Sequence, residues 1–117
     1  MKISEFSDSL QMKAVTDGKS LDREISGVYI CDLLSWVMSH ANKGDVWITV
    51  HTHLNIVAVA LLVELACIVV PEDIQVEEAT IKKANEEGIV ILRSEKTSYE
   101  LAVEASRILE KKNESVL

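Results

Sequence analysis

Three short runs of this chain carry almost nothing but apolar residues: 46–50 (Val-Trp-Ile-Thr-Val), 67–70 (Cys-Ile-Val-Val) and 89–92 (Ile-Val-Ile-Leu). A strand wetted on one face alternates apolar and polar residues, whereas a strand buried on both faces loses that alternation. Each run is followed by a segment with helical spacing: 56–66, then from Asp73 or Gln75 to Gly88, then from Thr97 towards Lys112. A fourth unit precedes them, in which 25–30 leads to a helix capped by Asp32 and carrying Leu33, Leu34, Trp36, Val37 and Met38. Strand-helix units in succession call for parallel strands, right-handed crossovers and helices on both faces. The expected fold class is α/β, a three-layer αβα sandwich around a mainly parallel sheet.

Local signals fill in the boundaries. Ile3, Phe6 and Leu10 recur at helical spacing, 12–15 reads as a brief strand, and Asp17-Gly18-Lys19-Ser20 is turn chemistry. Gly27 inside a strand marks a bulge or a close approach by another backbone or a ligand. Asn55 is the expected N-cap of the 56–66 helix, Gly88 closes the acidic-faced helix before it, and Thr97 with Glu100 matches a capping box. At 117 residues the chain holds one domain, expected over 1–112 with a frayed tail at 113–117.

The net charge of −7 excludes a nucleic-acid polymer as partner, because no basic run exists to neutralise phosphates. Lys82, Lys83, Lys111 and Lys112 are interspersed with glutamates and read as solvated helix faces. Cys31 and Cys67 form no C-x-x-C pair, and no secretory leader precedes them, so the expectation is a reducing cytoplasm. The apolar stretch 56–70 is interrupted by Glu64 and is too short to span a bilayer.

Ligands of open parallel sheets bind beyond the carboxyl ends of the strands. That rule selects Cys31-Asp32, the stretch from His51 to Asn55, Pro71 to Asp73, and Arg93 to Lys96. Thr52, His53 and Asn55 sit at the start of a helix, where free N–H groups attract anions, and Arg93 and Ser94 can add a cation and a hydroxyl. His51-x-His53 is a weaker metal reading that lacks a fixed third ligand. Cys31 beside a histidine could form a thiolate pair, against the usual behaviour of cysteine as a small hydrophobe. No Gly-x-Ser-x-Gly, phosphate-loop or dinucleotide-binding glycine motif is present. The helix that starts at Ile56 is apolar on every side through Val63, so its outer face needs cover, which favours a homodimer.

Asp22-Arg23-Glu24-Ile25-Ser26-Gly27-Val28-Tyr29, Asp32-Leu33-Leu34, Gly44-Asp45 and the block from Thr52 to Ala60 resemble the DRTGG domain family. The resemblance runs from about Ile3 to Leu109. It implies an α/β fold related to the N-terminal domain of HPr kinase/phosphorylase. Such domains also occur inside some bacterial phosphate acetyltransferases and between the halves of CBS-domain pyrophosphatases. There they serve as accessory or regulatory modules, often at a dimer interface, with the catalytic centre elsewhere. The family's Thr-Gly-Gly turn is replaced here by Val70-Pro71-Glu72-Asp73, which lacks the glycines and adds two carboxylates. Asp22 and Arg23 match the family, with a mutual or loop-fixing ion pair beside Gly27 as their expected role. The sequence expectation is a stand-alone, non-enzymatic regulatory domain without a cofactor. It acts as a homodimer, sensing a nucleotide or other phosphorylated metabolite or docking on a larger enzyme. Its candidate ligand residues are Arg23, Thr52, His53, Asn55 and Arg93. The alternative is a protein–protein interaction module with no small-molecule site.

Overall fold

The computed structural model describes the backbone of residues 1–116 and the side chains of residues 1–111. Within them the chain runs α1 (Ile3–Ser9), β1 (Lys13–Ala14), β2 (Gly27–Ile30), α2 (Leu34–His40), β3 (Asp45–Ile48), α3 (Asn55–Val63), β4 (Cys67–Val70), α4 (Glu78–Glu87), β5 (Val90–Arg93) and α5 (Ser98–Val116). The frayed tail expected over 113–117 falls outside the residues described in full.

The strands form one sheet in the order β1-β5-β4-β3-β2. Strands β2 to β5 are parallel, with Val28, Val46, Cys67 and Val90 in register across them. β1 alone runs antiparallel, Lys13 lying opposite Arg93. Because β2, β3, β4 and β5 are laid down side by side in chain order, crossovers of one hand put α2, α3 and α4 on the same face. The other face is left to α1 and α5, from the two ends of the chain.

The core divides accordingly. Val46, Ile48, Cys67, Val69, Val90 and Leu92 meet Ile3, Phe6 and Leu10 around α1, and Leu101 of α5. On the opposite face Trp47, Ile68, Val70 and Ile91 meet Val37 of α2, Ile56 and Ala60 of α3, and Ala84 of α4. Trp47 is fully enclosed, and its indole Nε1 donates to the Cys31 carbonyl at 2.8 Å. The polar atom of the largest core side chain is therefore paired, as burial requires. The expected αβα sandwich is the observed one.

Several boundaries differ from the sequence reading, each for a local reason. Neither Asp32 nor Asn55 caps a helix: α2 and α3 start behind Leu33 and Leu54 without a side-chain cap. Asp32 is drawn instead to the end of β3, and the Asn55 N–H donates to the His53 ring. α3 stops before residue 66 because Glu64 turns into the left-handed region at φ 60°. α4 opens at Glu78 and not at Asp73 or Gln75. Glu72 and Asp73 hold φ of 59° and 55°, and their N–H groups donate to the carbonyls of Lys96 and Ser94. β2 begins at Gly27, because Ile25 gives its N–H to the Met1 carbonyl and Glu24 bridges to Lys2. The capping box is present, Glu100 N–H donating to Thr97 Oγ1 at 3.2 Å and Thr97 N–H to Glu100 Oε1 at 3.1 Å.

Two glycines set the entry to β2 and β3. A Cβ on Gly27 would stand 3.0 Å from Asp45 Oδ1, so what lies close is a side chain and not the backbone or ligand expected of a glycine in a strand. Gly44 holds φ at 84°, and a Cβ there would come within 2.3 Å of Ser26 Oγ. Its carbonyl also accepts the Ser26 N–H at 2.9 Å, so the backbone cannot retreat without losing a bond. Gly44→Ala is expected to destabilise the fold by about 2 kcal/mol or more, read as a lower urea midpoint.

Cys67 is completely buried in β4, and burial pushes its thiol up from 9.0 to about 12. Between those values the unfolded chain gives up the proton that the native state holds. The contribution of this thiol to stability is therefore complete below pH 9.0 and falls away as pH rises towards 12. In the native protein Ellman's reagent is expected to titrate the half-buried Cys31 and to reach Cys67 only after denaturation. Equal native reactivity of both thiols would contradict the burial.

Candidate functional site

The chain leaving β3 places Thr49, His51, Thr52, His53 and Asn55 at the carboxyl end of the sheet. Asp32, from the end of β2, crosses to meet them. Its carboxylate Oδ1 accepts from Thr49 Oγ1 at 2.8 Å and from the Val50 N–H at 3.0 Å. Thr49 Oγ1 accepts the His51 N–H at 3.3 Å, and the His51 ring Nε2 is hydrogen-bonded to the Asp32 carbonyl. A carbonyl only accepts, so Nε2 of His51 carries a proton. These bonds lace the exits of β2 and β3 together.

Thr52, His53 and Asn55 form the more open part. The Thr52 carbonyl accepts the Thr80 hydroxyl at 2.7 Å, while its own hydroxyl lies 3.4 Å from a Glu77 carboxylate oxygen and donates to it. His53 is exposed, and its Nδ1 accepts the Asn55 N–H at 3.2 Å, so Nε2 is the protonated nitrogen of the neutral ring. The N–H groups of Thr52, His53 and Leu54 make no hydrogen bond among the described residues. Three successive free donors ahead of a nine-residue helix favour an anion. The Glu77 carboxylate beside Thr52 opposes one.

The two candidate arginines stand apart from this group. Arg93 ends β5, and its Nε pairs with Asp73 Oδ1 at 3.0 Å. With Lys13, Ser94 and Lys96 it lines a small cavity of ≈ 150 Å³ that contains none of Thr52, His53 or Asn55. Arg23 lies at the opposite, amino end of the sheet. It lines a groove of ≈ 530 Å³ together with Gly44, Ala66 and Ile89, the residues that precede β3, β4 and β5. Among the described residues Arg23 makes no ion pair with Asp22. Its guanidinium lies beside Gly88 instead, with Nη2 3.7 Å from where a Cβ would stand, near the negative end of α4.

Other sequence candidates resolve into local bonds. The Cys31 thiol points its weak hydrogen bond at the Leu33 carbonyl, 3.8 Å away, and at neither histidine. Among the described residues no group of three or more His, Cys, Asp or Glu is placed to hold a metal ion. Glu77 and Thr80 were not foreseen as neighbours of Thr52. They lie 25 and 28 residues further on, and nothing in the local sequence ties them to it.

No helix among the described residues is long and apolar enough to cross a membrane. Compared with protein-family models and with curated protein sequences, the chain matches none. It does superpose on a solved structure, that of the CBS and DRTGG domains of the regulatory region of Clostridium perfringens pyrophosphatase, complexed with the activator diadenosine tetraphosphate. The TM-score is 0.70 at 14% identity, over 86% of this chain and 44% of that one. The chain thus spans less than half of its neighbour's length, and what the two share is the fold. The fold of the chain is therefore one it shares with a structure that contains CBS and DRTGG domains, in keeping with the resemblance of its spaced sequence blocks.

Proposed function

We propose that this chain is a regulatory, ligand-sensing module of the cytoplasm and not an enzyme, and that it works as a homodimer or docked on a larger enzyme. The observation that supports this most is the shared fold, since the neighbouring structure is a regulatory region that holds a nucleotide activator. On this reading a nucleotide or other phosphorylated metabolite places a phosphate at the free N–H groups of Thr52, His53 and Leu54. His53 and the Asn55 side chain supply further donors, and Glu77 limits how much negative charge the site accepts. Arg93, on the same edge but paired with Asp73, is a second candidate contact. Arg23 lies too far off to share that ligand.

A thermal-shift series with nucleotides and phosphorylated metabolites tests the ligand. A ligand at a hundred times its Kd should add about 2.7 kcal/mol of stability by mass action. The rise should vanish in His53→Ala. In Glu77→Gln the same ligand should bind roughly fivefold tighter, since one nearby unit charge costs about 1 kcal/mol in high dielectric. A flat response to the whole series removes the small-molecule reading.

The alternative, an interaction module with no small-molecule site, is favoured by one observation. Leu61 and Leu62 on α3, with Leu33 and Trp36 at α2, are large apolar side chains left in solvent, Leu62 at 70% exposure and Leu33 at 61%. The first reading uses such a face for dimerisation, and the alternative uses it to dock a partner protein. Light scattering should find a dimer for the native protein and a monomer for Leu62→Glu, with unchanged circular dichroism. A native monomer would remove dimerisation from the first reading.

A further inference from the structure

We propose that the groove at the amino end of the sheet is a binding site for a small organic anion with an apolar body, held by Arg23. The groove opens between the carboxyl ends of α3 and α4, at the end of the sheet opposite the proposed phosphate site. Its ≈ 530 Å³ lies within the range of pockets that enclose metabolite-sized ligands. The apolar part of its lining is Leu61, exposed at 40%, beside the buried Ala60, Leu65, Ala66 and Ile89.

The charges around the lining decide the ligand. Glu24 takes the Met1 ammonium at 2.8 Å, Lys43 pairs with Glu64 at 3.1 Å, and Glu87 pairs with Lys83 at 3.1 Å. Arg23 is the remaining charged group of the lining, and among the described residues its guanidinium has neither ion pair nor hydrogen bond. The end of α4 beside it offsets about half a unit charge, which leaves a net positive centre. A guanidinium presents paired N–H donors that match a carboxylate or sulfonate. A lone cation over an apolar wall therefore suits a monoanion with a hydrocarbon or aromatic body. A polyphosphate would bring more charge than one arginine balances and would face Glu24, Glu64 and Glu87.

Octanoate and its uncharged analogue octanol test this in the native chain by amide chemical-shift mapping. Octanoate should give saturable shifts at Gly44, Leu65, Ala66 and Ile89, and octanol should bind there about tenfold more weakly for want of the charge-assisted bonds. Arg23→Gln should weaken octanoate by about the same factor while Arg23→Lys keeps part of the affinity. His53→Ala should leave it unchanged, so that failure of the phosphate site and failure of this one are told apart. Shifts confined to Trp36 and Leu62, equal affinity for octanoate and octanol, or no saturable shift in the groove would overturn the proposal.

Discussion

The double burial of the central strands governs the rest of the structure. β3 and β4 are buried at every position, so each needs an apolar layer on both sides. Strands laid down in simple chain order supply only one layer from their own crossovers, that of α2, α3 and α4. The second layer has to come from the ends of the chain. This explains why Ile3, Phe6 and Leu10 are wholly enclosed although they lie so close to the N-terminus. It also explains why residues 1–3 are tied down, through the Lys2–Glu24 bridge and the Met1–Glu24 ion pair.

The same strand order decides where open space lies. In doubly wound sheets a crevice opens at the carboxyl end where the strand order reverses. Here β2 to β5 never reverse, so the carboxyl end closes over itself through Asp32, Thr49 and His51. What that end offers is a row of backbone donors on its surface. A groove is found instead at the amino end, where α3 and α4 stop at left-handed residues, Glu64 and Gly88.

This is also where reading the sequence reached its limit. Period and composition were enough for the sheet, because Val46, Ile68 and Ile91 admit no wet face and the segments between them have room only for a helix. The Thr97–Glu100 box and the Gly88 stop are local devices, readable from a few residues. Strand order is not local, and without it the carboxyl-end rule could not be checked against a switch point. Asp32 shows the same limit at the scale of one side chain. Its neighbours suggest a helix cap, but Thr49 and Val50, brought alongside by the β2–β3 pairing, bind it better. The consecutive left-handed residues Glu72 and Asp73 likewise carry side chains that argue against such a turn. Their N–H bonds to the 94–96 loop hold it.

α3 joins the parts that the proposed functions use. His53 and Asn55 stand at its start, Ala60 and Leu61 border the groove near its end, and Leu61 and Leu62 belong to the exposed apolar face. Its inner side is fixed by Ile56, Val57, Val59 and Ala60, all buried against the sheet and neighbouring helices. A helix of under three turns, packed so closely, moves as one body and does not flex between its ends. A ligand at either end can therefore change self-association only by favouring one placement of the whole helix. By linkage, the shift it causes equals the difference in its own affinity for the dissociated and associated chain. A groove bordered by Leu61, one of the exposed residues of the proposed interface, would have a direct source for that difference. A phosphate held at the start of the helix, as proposed, would have to work through the packing of α3 on β3 and β4.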